Sequence, residues 1–333
     1  MLDFFDSRPW RSRAALAGVL IAAVATFAAP IAAQSFPDRP IRIVVPFPPG
    51  GSSDVVARLV ADGATEALGQ SVIVENVGGA GGNIGTARVA KAAADGYTLI
   101  QCTIGTCAIN GLLSANTGFD VQKDFVPVFF TGGVMNVITV NLAFPARSVA
   151  ELIDWAKANP GKLSFGSSGI GSSNHLTPEW LKTITATDMV HVPYRGSGPA
   201  IADLLAGSIA MFVDNEPSIL PQIKAGRIRA LAVTGERRSA ALPDIPTMEE
   251  LGYKGFVVEP WFGFMAPRGT PRAVIDRLNA GFNTAVANPR VRKRLDDAGL
   301  RVSGGPPERL ADQIRLESAR WAVVVKANNI RAD

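Results

Sequence analysis

The sequence predicts an α/β fold, on three observations. Short apolar runs of strand character alternate with segments of helical period through residues 41–213. Four Gly/Ser-rich loops, at 48–53, 78–83, 166–173 and 196–199, stand at the ends of such runs. Strands separated by helices pair in parallel through right-handed crossovers, and ligands of such sheets sit beyond the carboxyl ends of the strands, where all four loops fall.

Residues 41–46 read as a strand. Ser52 or Ser53 then caps a helix whose apolar face carries Val55, Val56, Leu59, Val60 and Leu68, with Gly69 as its stop. Residues 72–74 form a second strand, followed by a Gly-rich loop and a helix over 86–94. Strands are predicted at 97–100 and 125–130, an extended segment at 137–140, and a helix over 149–158 ended by Asn159-Pro160-Gly161. Residues 163–165, 190–192 and 210–213 are short strands, each followed by a helix. Val274, Ile275, Leu278 and Phe282, and later Leu310, Ile314, Trp321 and Val324, have the spacing of core-packed C-terminal helices. No period of 20 to 50 residues recurs, which argues against a solenoid.

The N-terminus has the charged, apolar, small-residue order of a secretory signal peptide. Arg8, Arg11 and Arg13 precede an uncharged stretch, 14–33, that ends in Ile31-Ala32-Ala33. Cleavage is expected after Ala33, leaving Gln34 as the mature terminus. An uncleaved anchor is the weaker alternative, because a span needs roughly 20 apolar residues and Pro30 lies near the end of this one. No later segment is long and apolar enough to span, so the mature chain is expected to be exported, soluble and periplasmic.

Composition excludes several classes. Hydrophobic residues at 47% and charged residues at 19% describe a globular chain with real cores, not a disordered one. The net charge is +4 and the basic residues form no long block. Arg237-Arg238 and the Arg290, Arg292, Lys293, Arg294 group read as solvated faces, so no nucleic-acid partner is expected. Cys102 and Cys107 are too few for a disulfide framework. They lie five positions apart across a strand-to-loop transition, and an unbridged pair is the favoured reading.

Catalytic and cofactor patterns are missing. In the 78–85 loop Ile84 stands where a dinucleotide fingerprint needs its third glycine, and no P-loop lysine follows. Ile170 takes the place of the last glycine of a nucleophile elbow in the serine loop. The two cysteines and two histidines, Cys-x4-Cys and His-x15-His, do not match zinc spacing, so neither metal nor cofactor is expected. His191 reads as a packed strand histidine, and His175, after the serine loop, is able to touch a ligand. Asp95, Asp120 and Asp124 flank turns as solvated acids. The chain therefore reads as a non-enzyme. The competing class is an exported serine hydrolase using Ser168 or Ser172 with His175. The Gly/Ser loops themselves suit anion capture. A helix N-terminus leaves N–H groups unpaired, glycine lets a ligand approach the backbone, and serine adds a rotatable hydroxyl.

At this point the residues resemble a known family. Pro46-Phe47-Pro48-Pro49-Gly50-Gly51-Ser52-Ser53-Asp54, then Glu75-Asn76 and Gly79-Ala80-Gly81-Gly82, look like the opening of the tripartite tricarboxylate transporter solute receptors, also called the Bug (Bordetella uptake gene) family. The likeness continues through Ala158-Asn159-Pro160-Gly161-Lys162-Leu163, Gly171-Ser172-Ser173-Asn174-His175-Leu176 and His191-Val192-Pro193-Tyr194-Arg195-Gly196-Ser197-Gly198-Pro199-Ala200. It ends with Arg229-Ala230-Leu231-Ala232-Val233-Thr234, Leu242-Pro243-Asp244-Ile245-Pro246-Thr247 and Trp261-Phe262-Gly263, and so spans nearly all of the mature chain.

The resemblance implies a two-lobed periplasmic binding protein of type II-like architecture, each lobe a sheet flanked by helices, with a hinge between them. It assigns 36–135 with 256–333 to lobe one and 136–255 to lobe two. The chain would cross near Gly132-Gly133 and near Val257-Val258-Glu259. It also implies a monomer that captures a small carboxylate (a di- or tricarboxylate or an aromatic acid) and delivers it to a permease of two integral membrane subunits. A chemosensory input receptor is the alternative within that frame. One carboxylate would be gripped by Phe47, Pro49, Gly50, Gly51 and Ser52 against Ser167, Ser168, Gly169, Gly171 and Ser172, with His175 beside them. The far end would meet Thr103, Thr106, Tyr194, Asp214 and the Trp261 region. Asp214 is open to two readings, an acceptor for a ligand group or the N-cap of a helix beginning near Pro217. Arg195 is the candidate for a second carboxylate, although a loop arginine is more often solvated.

Two departures from the family pattern fall near the expected cleft. Thr103-Ile104-Gly105-Thr106-Cys107 stands where the family usually shows a Ser-Gly-Thr-His-like segment. Thr177-Pro178 interrupts the helix after His175, which is expected to start later or to kink.

Overall fold

The computed structural model describes residues 1–2, 36–114, 116–327 and 330; the leader, with its expected cleavage site after Ala33, lies outside the described residues. The chain divides into a short unit, Met1–Asp38, and a large one, Arg39–Asp333, which holds two sheets. The first sheet contains β1 (Ile41–Val45), β2 (Val72–Asn76), β3 (Thr98–Thr103), β4 (Phe125–Gly133), β10 (Trp261–Pro267) and β11 (Arg301–Val302), in the order β11-β4-β10-β3-β1-β2. The second contains β5 (Asn136–Asn141), β6 (Leu163–Ser167), β7 (Met189–Pro193), β8 (Met211–Asn215) and β9 (Ile228–Val233), in the order β7-β6-β8-β5-β9. Each sheet is the centre of one lobe.

The expected parallel pairing holds for β1 with β2 and β3, and for β6 with β7 and β8. It fails for β10, which is antiparallel to β3 and β4, for β11, which is antiparallel to β4, and for β5, which is antiparallel to β8 and β9. For β10 and β5 the reason is the path of the chain. β4 leaves the first lobe for β5, and β9 leaves the second for β10. A strand that enters a lobe must run against the strands that end at its cleft face. β9 and β10 were legible only as segments of family resemblance, although Gly226 and Gly235 bracket the first and Pro260 and Gly269 the second.

Local boundaries follow the sequence with a few corrections. Helix α1 (Ser52–Leu68) has Gly51 as its N-cap with no side-chain cap, so neither Ser52 nor Ser53 caps it. Gly69 ends it in the left-handed conformation, its N–H bonded to the Thr65 carbonyl. Helix α2 is Asn83–Ala90, starting and ending before the expected 86–94. Helix α3 is Val149–Ala158, capped by Ser148, which accepts from the Glu151 N–H. Helix α4 (Ser173–Thr185) starts directly after the serine loop and includes Pro178, so it does not begin late. Pro178 forfeits one backbone bond. The buried face Leu176, Thr177 and Leu181 holds the helix in place, and the Asn136 amide donates to Thr177 Oγ1 at 2.9 Å. Helices α5 (Ser197–Ala206), α6 (Glu216–Lys224), α7 (Arg272–Ala287), α8 (Pro289–Asp297) and α9 (Glu308–Ala327) complete the layers.

Cys102 and Cys107 are joined by a disulfide, against the sequence expectation. The cause is a tight turn. Thr106 Oγ1 accepts from the Thr103 N–H at 3.1 Å, and the Thr106 N–H donates to Thr103 Oγ1 at 3.2 Å. This folds the end of β3 back on itself and brings the two cysteine Cα atoms to 5.9 Å.

The two inter-lobe crossings lie side by side and are bonded to each other. The Val134 N–H donates to the Pro260 carbonyl at 2.7 Å, and the Val258 N–H to the Thr234 carbonyl at 2.8 Å. Thr234 Oγ1 ties both, accepting from the Asn136 N–H and donating to the Val258 carbonyl. This paired crossing is the hinge. Phe129, Phe264 and Phe282 stack in the core of lobe one, and Phe165, Met211 and Leu163 are fully buried in that of lobe two.

Candidate functional site

The 47–53 loop is shaped from behind by Asp54. Its carboxylate accepts from the Gly50 N–H at 3.0 Å, from Arg58 at 2.9 Å and from the Asn76 amide at 2.9 Å. Asn76 also donates to the Phe47 carbonyl at 3.0 Å. Burial works against the charge of Asp54, but these hydrogen bonds outweigh it and hold the carboxyl below its ordinary range. The opposing serine loop is held in the same manner. Ser168 Oγ donates to Asn174 Oδ1 and Ser172 Oγ to the Gly169 carbonyl, both at 2.6 Å. The Gly171 N–H donates to His175 Nδ1 at 3.3 Å.

The lobes meet directly across the cleft. Ser52 Oγ donates to Ser218 Oγ at 2.8 Å, and the Ser218 N–H donates to Ser52 Oγ at 3.1 Å. A Cβ on Gly196 would come within 3.0 Å of Pro48, and one on Gly105 within 3.0 Å of the Gly171 carbonyl oxygen. Gly81 lies so close to Ile170 that a methyl group there would overlap the Ile170 carbonyl oxygen. Glycine at these positions is what lets two backbones approach.

Two cavities lie between the lobes. The inner one, about 490 Å³ including its mouth, runs from Phe47 and Ser52 past Thr103 to Ser168 and Asn215, with Trp261 on its wall. Among the described residues, no charged side chain lines it. The outer one, about 1120 Å³ including its mouth, lies between the 79–83 and 168–171 loops and reaches Asn110, Tyr194 and Arg195. Phe47, Pro48 and Ser168 form the partition and line both.

Of the sequence-proposed residues, Phe47, Gly51, Ser52, Thr103, Ser168 and Ser172 line the inner cavity. Gly169, Gly171 and Tyr194 line the outer one. The remaining six stand off both walls. Pro49 and Gly50 are exposed, and the Gly50 N–H is taken by Asp54. Thr106 is spent on the turn with Thr103. Ser167 is fully buried, 2.7 Å from His191 Nε2, and accepts from the Gly169 N–H. His175 stacks on His191 with ring centres 4.2 Å apart, and its pKa falls to about 3 through burial first and then the charges of His191 and Lys182. It is a neutral acceptor that fixes the loop and not a wall residue.

Asp214 is also corrected. It is the hub of a buried network, accepting from Asn174 Nδ2 at 2.6 Å, Ser197 Oγ at 3.0 Å and Ser218 Oγ at 2.5 Å. The N-cap of α6 is Asn215, without a side-chain cap bond, so the capping reading of Asp214 does not hold. Burial raises its carboxyl to about 6 even though these donors pull it down. Tyr194 donates to Asp203 at 2.6 Å, and burial first, then that carboxylate, push its hydroxyl up to about 12.

Sequence reading missed Asn174, Ser197, Asn215 and Ser218 as members of the site. Asn174 lies one residue before His175 in a quoted motif and Ser197 opens the fourth Gly/Ser loop, so a signal existed for both. For Ser218 there was none. The proposed hydrolase geometry is not assembled: the Ser168 hydroxyl goes to Asn174 and the Ser172 hydroxyl to the Gly169 carbonyl, while the His175 ring accepts from the Gly171 N–H and its backbone N–H donates to the Ser172 carbonyl. The Ser167–His191 pair lines neither cavity. Among the described residues, no group of His, Cys, Asp and Glu could hold a metal, and no helix is long and apolar enough to cross a membrane.

The chain as a whole is similar to known proteins. Residues 56–330 match the family described as tripartite tricarboxylate transporter family receptor. BugT of Bordetella pertussis is 42% identical over 313 residues, which cover 94% of this chain and 96% of BugT. An R. palustris protein solved with adipate is 38% identical with a TM-score of 0.86, over 89% of this chain and 99% of that one. MatC from Rhodopseudomonas palustris, solved with bound malate, is 34% identical with a TM-score of 0.82, over 87% of this chain and 100% of MatC. The periplasmic binding protein BugD is 36% identical with a TM-score of 0.86, over 89% and 99% of the two chains. With a two-lobed α/β fold, a hinge of paired crossings and a family match over most of its length, the chain belongs to the tripartite tricarboxylate transporter receptors, the Bug family of solute-binding proteins.

Proposed function

We propose that this protein is a periplasmic receptor that closes its two lobes on a small carboxylate and hands it to a membrane permease of two subunits. In this reading the leader is removed after Ala33 and the receptor acts as a monomer. Lobe one is 36–135 with 256–333, and lobe two is 136–255. The observation that carries it is the inner cavity, lined by hydroxyl and amide side chains and glycine backbone from both lobes, with no charged side chain among the described residues on its wall. The adipate and malate in two relatives support the ligand class. Each charge-assisted hydrogen bond contributes roughly 1.5–3 kcal/mol net. Three or four of them support micromolar binding, about −8 kcal/mol.

Calorimetry of the mature protein against a carboxylate panel tests this. At least one member is expected to bind with a Kd in the micromolar range or below, and Ser168→Asp is expected to abolish that binding by setting a like charge on the cavity wall. Binding that Ser168→Asp leaves unchanged would remove the site from this cavity.

The same reading has no turnover step. Bound solute is expected to be recovered chemically unaltered after long incubation, as judged by mass spectrometry. A product that forms with the wild type and disappears in His175→Ala would establish the hydrolase in place of the receptor.

A further inference from the structure

Glu216 sets a carboxyl group against the opposite lobe at the flank of the hinge. It opens α6 in lobe two, its N–H donates to the Met135 carbonyl at 3.0 Å, and its side chain is fully buried. Ser239 Oγ donates to its Oε1. Among the described residues, its Oε2 has no hydrogen-bond partner. The cover over that oxygen comes from lobe one. A Cβ on Gly299 would fall 2.8 Å from Oε2 and 2.5 Å from Cδ, so the carboxyl packs against bare backbone.

A third cavity, about 970 Å³ including its mouth, opens beside this contact. Glu216 and Ser239 line it from lobe two, and Gly299 and Arg301 from lobe one. It shares no lining residue with the inner and outer cavities. The charged groups around the carboxyl are Lys224 on its own helix, Arg301 on β11, and Arg237, Arg238 and Asp296 on the cavity wall. Arg301, Arg238 and Asp296 are engaged by Glu259, Glu250 and Arg292. Among the described residues, none of these cations donates to Glu216. A charged carboxylate here has given up water on both oxygens and regained one hydrogen bond.

We propose that the Glu216 side chain, wedged against Gly299, makes closure of the lobes take up a proton, so that the receptor binds its solute more tightly in mild acid. When the lobes part, Gly299 leaves with lobe one, and water reaches the carboxyl. In the closed chain burial raises it to about 6, although Ser239, Lys224 and Arg301 pull it down; in water its ordinary value is 4.5. The closed state therefore holds the proton more tightly than the open one. By linkage, closure is about 8-fold more favourable at pH 5 than at pH 7. A solute that closes the lobes gains the same factor. The inference rests on the receptor reading above.

Calorimetry with adipate and with malate, at pH 7 and pH 5, on the wild type and on Glu216→Gln, tests it. Glutamine keeps the shape and an acceptor for Ser239 but does not titrate. Comparing the two proteins at each pH cancels the titration of the solute and of Asp214. The affinity of the wild type relative to Glu216→Gln is expected to rise about 8-fold from pH 7 to pH 5. At pH 7 the variant is expected to bind at least as tightly as the wild type, an outcome that a misfolded variant cannot produce. A relative affinity that does not change with pH would overturn the proposal. The wild type alone gives a second readout. At pH 6 binding is expected to draw protons from the buffer, seen as heats that differ between buffers of low and high ionisation enthalpy, and binding that draws none would overturn the proposal as well. If neither acid binds the wild type at either pH, the receptor reading itself fails and takes this inference with it, an outcome distinct from the others.

Discussion

Gly81→Ala is expected to weaken solute binding by at least about 100-fold while leaving the fold intact. Gly81 has φ +60, a conformation that alanine enters at a cost of roughly 1–2 kcal/mol. That cost falls within lobe one and is tolerable. The larger effect is between lobes. The new methyl group overlaps the Ile170 carbonyl oxygen of the opposite loop, and both partners are backbone-positioned. Neither moves alone, so the relief is for the lobes to stand apart. A ligand that contacts both lobes favours the closed state only by the contacts it gains there. Calorimetry with the best solute of the panel, beside circular dichroism of the same sample, checks this. An unchanged Kd with an unchanged spectrum would show that binding does not require this approach of the loops.

The second large effect is expected at Asp214. Asp214→Ala leaves three buried donors, on Asn174, Ser197 and Ser218, without their acceptor. The expected loss is roughly 3 kcal/mol or more of stability, seen as a clear fall in Tm. Asp214→Asn is expected to be mild, because an amide oxygen still accepts from Asn174 and Ser197, while its NH2 is able to donate to Ser218. The same pair reads out a pH dependence. Burial, only partly offset by hydrogen bonds and charges, raises the carboxyls of Asp214 and Glu216 to about 6 in the folded chain, above their ordinary 3.8 and 4.5. The folded chain therefore binds protons more tightly than the unfolded chain between those values. Stability from these two groups rises as pH falls through about 6 and is fully present below about 4. Asp54, whose carboxyl is lowered, acts in the opposite sense, and its contribution is lost as pH falls through its folded value below 3.8. Tm measured from pH 7 to pH 4 is expected to rise in the wild type from the Asp214 and Glu216 contributions. The slope should be smaller in Asp214→Asn, and an identical slope would refute the assignment to Asp214.

Much of this was legible before the structure, for reasons of period and position. The alternation of strands and helices is a local signal, and it placed β1, β2, β6, β7 and β8 within a few residues. The Gly/Ser loops are legible because glycine and serine mark strand ends facing a cleft. What was illegible depends on partners far apart in the chain. Ser52 looked like a cap, yet its hydroxyl spans the cleft to Ser218, 166 positions away. Asp214 looked like a ligand acceptor or a cap, and only the packed structure shows three donors consuming it. His175 was read toward the ligand because it follows the serine loop. The helix instead turns its ring inward onto His191. The antiparallel strands were missed because the direction of a strand follows from which lobe the chain is leaving, and no local pattern records that.

A crystal structure of the mature protein grown with adipate tests the central claim most directly. The receptor reading predicts closed lobes with one adipate carboxylate between the 47–53 and 167–172 loops, within hydrogen-bond reach of Ser52 and Ser168, and the other end toward Trp261. Adipate ordered outside the inter-lobe cleft, or a cleft that stays closed around other groups while adipate binds elsewhere, would contradict it.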